Sequence, residues 1–396
     1  MADLFLKNGR EKAVQNRHPW VFSGAVDRIK GDVSDGDVVT VRDAHGQFLA
    51  SGYLNARSQI VVRLLSWDQD EPIDDAFWLR RIAGAVARRQ SLANDGLTTA
   101  YRLIYAESDL LPGLVVDRYG EFLVVQCLTL GIDQRRGPIV QGLANLLSPQ
   151  GIYERSDVDV RKLEGLDQVC GVVYGDEPPQ EIEITENGHR FLVDLKNGQK
   201  TGFYLDQREN RQTLTRYAGG GSLLNVFAYS GAFSVYAANA GAGPVVNLDS
   251  SEDALELAKK NMRLNGLSRT QDEYEVGSAF DLLREYRDRG RTFDLIVLDP
   301  PKFAPTRKHA ERAARAYKDI NLLAFKLLRP GGVLCTFSCS AGIDAEQFQK
   351  IVFWASMDAK RDVQIIQRLT QGPDHPVLLS FPESTYLKGL ICRVLD

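Results

Sequence analysis

A chain of 396 residues is longer than one ordinary hydrophobic core, so two or three domains are expected. Hydrophobic residues make up 44% and charged residues 25%, a globular composition. No apolar run approaches the ~20 residues of a membrane helix, and the N-terminus lacks the apolar stretch of a signal peptide, so no membrane partner and a cytoplasmic location are expected.

Net charge is −4, which taken whole argues against a nucleic-acid protein, but the charge is unevenly spread. Residues 1–30 carry a local +3 and residues 301–329 a local +6. Such surfaces suit phosphate backbones, although a solvated helix face gives the same pattern. The five cysteines (127, 170, 335, 339, 392) are scattered and do not form a disulfide framework. On a strand, Cys335 and Cys339 would stand roughly 13 Å apart, too far for a disulfide or a shared zinc. The five histidines show no ligand spacing, and no metal is expected.

In chain order, residues 1–72 read as short strands ("DVVTVRD", "FLASGYL", "QIVVRLLSW") closed by Glu71-Pro72. Residues 73–180 are mixed. A helix carries Trp78, Ile82 and Val86 on one face; "GLVVDRYG" and "EFLVVQCL" read as strands; "QRRGPIVQGLANLL" reads as a second helix; "GIYERSDVDVRK" and "QVCGVVYG" follow. Asn187-Gly188 between apolar runs predicts a hairpin, and a second Asn-Gly pair follows at 197–198. From residue 222 strands and amphipathic helices alternate, which predicts a parallel sheet covered on both faces.

In such sheets ligands bind outside the carboxyl ends of the strands. The residues expected there are Phe227, Tyr229 and Gly231 after the first strand, Asp249 and Ser250 at the second and Asp281 after the third. Asp299-Pro300-Pro301-Lys302-Phe303 closes the fourth, and Cys339 the fifth. Asp249 follows Gly231 by eighteen residues, the spacing of a glycine turn and a ribose-gripping acid; an N-cap is the plainer alternative. A single glycine in place of G-x-G-x-x-G disfavours a pyrophosphate cofactor and favours a nucleoside without phosphates. The two prolines either terminate a strand or hold Asp299 on a rigid edge beside a base, with Phe303 placed to stack. A lone cysteine is more often a small hydrophobe, but at a strand end opposite "DPPKF" it suits nucleophilic chemistry.

"LDPPKF", with "NVFAYSGAFS" upstream and "TFSCS" downstream, resembles the S-adenosylmethionine-dependent RNA methyltransferases that make 5-methylcytosine. "GREKAVQNRHPWVFSGAV", "YERSD", "KTGFYLDQREN" and "TYLKG" extend the likeness over nearly the whole chain. The resemblance implies an α/β chain with a Rossmann-like class I methyltransferase sheet at 181–396, opened by a β-hairpin at 181–205. A PUA-like RNA-binding domain at 1–72 and a mixed α+β middle domain at 73–180 would precede it.

It implies 23S rRNA as partner and S-adenosyl-L-methionine as cofactor. Tyr204, Asp206 and Arg208 of a "TGFYLDQR" hairpin at 201–208 would close over the cofactor. Phe227, Tyr229 and Gly231 would line its methionine and ribose side, Asp249 would hold the ribose and Asp281 the adenine amino group, with Ser250 and Asp299 also among the cofactor contacts. Asp299 would meet the target base and Cys339 would be the nucleophile. Lys302, Phe303, Arg307, Lys308, Arg312 and Arg315 would hold RNA beside the site, and Lys7, Arg10, Lys12 and Arg17 would add a second grip.

A second cysteine, which helps release the product in another branch of 5-methylcytosine enzymes, is absent from Asp-Pro-Pro-Lys, so either another base would remove the C5 proton or the release step would differ. The helix starting near Ala345 and Lys302 are expected to lower the Cys339 pKa. Two other readings stay open: an amino-group methyltransferase with a structural Cys339, and a non-catalytic RNA-binding assembly protein.

Overall fold

The structure is a computed structural model that describes residues 2–303 and 310–396. The chain divides into two compact units. The first comprises residues 1–184, 193–205 and 373–384; the second comprises 185–192, 206–372 and 385–396.

Among the described residues the first unit holds two sheets. Strands β1 (Ala2–Leu6), β2 (Trp20–Phe22), β3 (Val26–Lys30), β4 (Val38–Arg42), β5 (Phe48–Leu54) and β6 (Ile60–Ser66) form one, ordered β2-β6-β5-β4-β1-β3. Leu4, Val39, Val41, Ala50 and Val62 from its inward faces are fully buried. Helix α1 (Asp75–Ala87) follows, started by Asp74, whose side chain accepts from the Phe77 N–H and so satisfies an orphan donor.

The second sheet contains β7 (Ala100–Tyr105), β8 (Leu114–Tyr119), β9 (Phe122–Cys127), β10 (Gly151–Ser156) and β11 (Val169–Gly175), ordered β11-β10-β9-β8-β7. Helix α2 (Arg136–Leu147) sits between β9 and β10, and it shares with α1 the core built on Phe77, Trp78, Ile82, Ile139 and Leu143. The two sheets are joined by a buried ionic cluster. Arg63 of β6 donates to Glu164 at 2.8 Å and to Glu107 at 3.3 Å, and Ser58 and Asn55 also donate to Glu164.

Strands β12 (Ile182–Glu186) and β13 (His189–Val193) form the hairpin that Asn187-Gly188 predicts, with both residues at positive φ (48° and 81°). The second Asn-Gly pair lies in turns, and no strand occurs at 194–204. Residues 201–208 are likewise not a hairpin. They form a turn, a 3₁₀ segment at Leu205–Gln207 and the start of α3 (Arg208–Leu214), because Asp194 caps the preceding turn and bends the chain away from strand geometry.

The second unit is built on a seven-stranded sheet with helices in the connections. Its elements are β14 (Leu223–Val226), α4 (Ala232–Asn239), β15 (Val245–Asp249), α5 (Glu252–Leu264), β16 (Glu273–Val276), α6 (Ala279–Asp288), β17 (Phe293–Leu298), α7 (Ala310–Leu327), β18 (Leu328–Ser338), α8 (Ala345–Ala359), β19 (Val363–Leu369) and β20 (Lys388–Val394). The order is β16-β15-β14-β17-β18-β20-β19. The first five strands are parallel, as expected, but β20 pairs antiparallel with both β18 and β19. The sheet is therefore mixed, because the chain returns through a long connection and lays a last strand against the exposed edge of β18. No helix among the described residues is long and apolar enough to cross a membrane.

Candidate active site

The register of the parallel strands places three of the expected residues side by side. Val226 pairs with Leu248 on one side and with Leu298 on the other. Phe227, Asp249 and Asp299 are the next residues of those strands, so they stand at one level on the carboxyl edge of the sheet. On the adjacent strand Thr336 pairs with Leu298, and Cys339 lies three residues further on, just past the end of β18.

The loop after β14 is tightly constrained. Phe227 (φ 63°), Tyr229 (φ 45°) and Gly231 (φ 70°) are all left-handed. For two bulky aromatics this costs energy and persists only where the surroundings impose it, as at functional sites. Here the Ala228 N–H bonds the Leu248 carbonyl, the Tyr229 N–H bonds Asp249 Oδ2 at 2.9 Å, and Asn261 Nδ2 holds the Ser230 carbonyl at 2.9 Å. A Cβ on Gly231 would stand 2.7 Å from the Ala258 methyl of α5, so a side chain is excluded by space as well as by φ.

Asp249 accepts from Tyr229 N–H through Oδ2 and from Ser251 N–H at 3.0 Å through Oδ1. The N-cap of α5 is Ser251, not Asp249. A carboxylate offers about four lone-pair sites; lone pairs therefore remain on the half-exposed Asp249 for two vicinal hydroxyls. That acceptor chemistry fits a ribose with two hydroxyls, as in S-adenosylmethionine. Ser250 and Asp281 are exposed beside this edge, Asp281 in the first turn of α6.

Asp299 is half-buried and its Oδ2 accepts from Gln207 Nε2 at 3.0 Å. Gln207 is itself fixed, since its Oε1 accepts from Asn210, which also donates to the Thr370 carbonyl. Neither Gln207 nor Asn210 was expected as a site residue; both lie in the "DQREN" segment, whose other members drew attention. Asp206 Oδ2 accepts the Tyr386 hydroxyl at 2.6 Å and its carbonyl accepts the Gly372 N–H, so it ties the C-terminal segment to the 3₁₀ turn that leads into α3. Arg208 is fully buried against Glu209. Tyr204 belongs to the first unit, where its hydroxyl bonds Gln199 and Lys200 lies over its ring.

Phe303 is half-buried, its ring 4.8 Å from Tyr317 and 6.0 Å from Phe280, so one side of it packs against the core. An aromatic leaving an apolar strand end gains burial there. Lys302, Arg312 and Arg315 are exposed, Arg312 and Arg315 on α7; Arg307 and Lys308 lie outside the described residues. Lys7, Arg10, Lys12 and Arg17 are exposed on the first unit.

Cys339 is half-exposed, whereas Cys127, Cys335 and Cys392 are buried and Cys170 is at the surface. The expected helix effect on its thiol meets a complication. The start of α8 is closed by a capping box in which Asp344 accepts from Gln347 N–H at 2.8 Å and the Gln347 side chain accepts from Asp344 N–H. One free donor of that helix end is thereby engaged, and a carboxylate stands beside the others.

A cation that the sequence did not reveal is fixed at the same turn. Lys388 opens β20, pairs in register with Ser338, and donates from Nζ to the Ser340 carbonyl at 2.8 Å. Burial pushes its pKa down from the usual lysine value to about 8; Cys339 and Asp344 act in the opposite direction, and Lys302 adds to the depression. Tyr317 of α7 closes the far side, its hydroxyl 2.9 Å from Ser340 Oγ.

Comparison with known proteins covers the whole chain. A family model described as a PUA-like domain matches residues 4–67, and one described as an S-adenosylmethionine-dependent methyltransferase matches residues 157–391. A protein of Tolumonas auensis named ribosomal RNA large subunit methyltransferase I is 50% identical over 393 residues, 99% of each chain. The protein of the same name from Aeromonas hydrophila is 49% identical over 393 residues, again 99% of each. A solved structure described as a methyltransferase complexed with SAH superposes with a TM-score of 0.86 at 25% identity, both chains covered in full. At such identity over nearly its full length, the chain belongs to the ribosomal RNA large subunit methyltransferase I family, S-adenosylmethionine-dependent enzymes with an N-terminal PUA-like domain.

Proposed function

We propose that this chain methylates C5 of a cytosine in large-subunit (23S) rRNA through a covalent bond between Cys339 and C6 of the base. The observation that carries the reading is a half-exposed thiol at the strand end next to Asp299, on the edge where the ribose-type carboxylate Asp249 also stands. Cytosine C5 is a poor nucleophile until something adds to C6, and an amino-group methyltransferase needs no thiol there.

S-adenosylmethionine supplies an electrophilic methyl group on sulfonium. In the proposed sequence the Cys339 thiolate bonds C6 and the C5=C6 electron pair becomes available at C5. C5 takes the methyl, a base removes the C5 proton, and the S–C6 bond breaks to restore the double bond and the thiolate. Asp299, oriented by Gln207, accepts from the N4 amino group and so fixes the base as C6 is attacked. The target must be unstacked so that both ring faces are reached. Lys7, Arg10, Lys12 and Arg17 on one unit and Lys302, Arg312 and Arg315 on the other supply the phosphate grip.

The test uses an rRNA fragment in which 5-fluorocytidine replaces cytidine. Fluorine does not leave as a proton, so a protein–RNA adduct should accumulate with the wild type and cofactor, and be missing with Cys339→Ser on a denaturing gel. Absence of adduct in both, with methyl transfer to ordinary RNA intact, would favour the amino-group reading.

Asp249 gives a separate expectation. Asp249→Ala removes two charged hydrogen bonds to the ribose and the anchor of Tyr229 N–H, so affinity for S-adenosylhomocysteine should fall roughly 100-fold by calorimetry. A change of less than threefold would remove Asp249 from the cofactor site.

A further inference from the structure

Nothing in the proposed sequence says what turns Cys339 into a thiolate. We infer that Lys388 is its positioning cation: the ammonium, fixed across the β18–β20 ladder, pairs with the Cys339 thiolate and holds it ready to attack C6. The inference rests on the reading of Cys339 as nucleophile.

The geometry brackets the cysteine. Lys388 is the register partner of Ser338, the residue before Cys339, and its Nζ is bonded to the carbonyl of Ser340, the residue after it. A flexible four-carbon stem is thereby reduced to one placement, half-buried, at the turn that carries the thiol. Among the described residues, the titratable or charged groups that act electrostatically on Lys388 or Cys339 include Asp344 leading α8, Lys302 after β17 and Tyr317 on α7, with Asp299 at the end of β17 acting on the neighbouring Cys335. Asp344 is held in its own capping box, and Lys388 is a cation with a fixed place at this turn, set by its ladder register with Ser338 and its bond to the Ser340 carbonyl. Asp344 favours the ammonium and, as an anion, opposes the thiolate; the lysine offsets it.

The sign follows from the lysine. Below a pH of about 8 Lys388 carries its charge and supports the thiolate; above that pH it becomes the amine and the support is lost.

The experiment follows iodoacetamide alkylation of Cys339 by peptide mass spectrometry between pH 5 and 10, without RNA or cofactor, with exposed Cys170 as the internal reference. The wild-type midpoint is expected below the ordinary value of about 8.5. Lys388→Gln should raise it by about one unit or more, a tenfold loss of thiolate at neutral pH, and Lys388→Arg should restore most of it. Methyl transfer by Lys388→Gln should fall about tenfold at pH 7 and recover above pH 9 as the thiol ionises unaided. A midpoint unchanged by Lys388→Gln overturns the inference. If Lys388→Gln does not fold, a wild-type midpoint at or above 8.5 overturns it equally. A midpoint that moves while 5-fluorocytidine RNA gives no adduct leaves the ion pair standing and rejects the C5 reading. An adduct with an unmoved midpoint rejects the ion pair alone.

Discussion

Cys339→Ala is expected to abolish methyl transfer, by roughly 10⁴-fold or more, while cofactor affinity stays within a factor of two. On the proposed reading, C5 stays electron-poor without addition at C6; Cys127, Cys335 and Cys392 are buried, and Cys170 lies on β11. The fold should be spared because the side chain is half-exposed and the replacement removes one sulfur atom, on the order of 1 kcal/mol or less. Single-turnover transfer of labelled methyl to large-subunit rRNA, paired with calorimetry for S-adenosylhomocysteine, separates these effects. A variant that keeps a tenth of the wild-type rate would make the thiol structural.

Arg211→Met is expected to cause the largest loss of stability. Arg211 on α3 and Glu186 at the end of β12 form a bidentate pair, both bonds at 2.7 Å, with side chains 2% and 0% exposed. The Tyr236 hydroxyl of α4 donates to the same carboxylate at 3.0 Å, and burial with the Glu186 charge raises that phenol's pKa well above its usual value. Removing the guanidinium leaves a buried carboxylate without its cation, which costs about 3–5 kcal/mol. For a unit of this size that is a fall in melting temperature of about 10 °C. The double variant Glu186→Gln/Arg211→Met should recover part of the loss, since it removes the uncompensated charge. A single variant melting within 2 °C of the wild type would refute the account.

The parallel half of the second unit was legible because its strands are nearly continuous apolar runs, each followed by an amphipathic helix, and "FDLIVLDPP" admits no other reading. Strands β19 and β20 were not. Val363–Leu369 alternates irregularly and is largely exposed, and Lys388–Val394 acquires its meaning only by pairing with β18, some fifty residues earlier. The same long-range pairing hid Lys388, which in sequence is one lysine in "TYLKG". Asp249 and Asp299 could be placed because strand ends are local signals. Gln207 could not, because what it does depends on Asp299, 92 residues away. Asp206 shows the converse: a carboxylate in a site-like motif whose partner is the Tyr386 hydroxyl. In the first unit the punctuation at Glu71-Pro72 marked the end of the first sheet, yet composition alone did not reveal the Arg63–Glu164 bond that joins that sheet to the next.

The first unit also borrows residues 373–384 from near the end of the chain, and this sets an order on its synthesis. Asp374 is buried, its carboxylate accepting the Arg102 N–H at 2.9 Å and its carbonyl accepting Arg89 at 2.9 Å. During translation β7 emerges 272 residues before the carboxylate that satisfies it. At ~5–20 residues per second that interval lasts roughly 15–50 s. Through that time the β7 amide of Arg102 and the Arg89 guanidinium lack the partners that Asp374 supplies, and the first unit is completed only as the end of the chain is made.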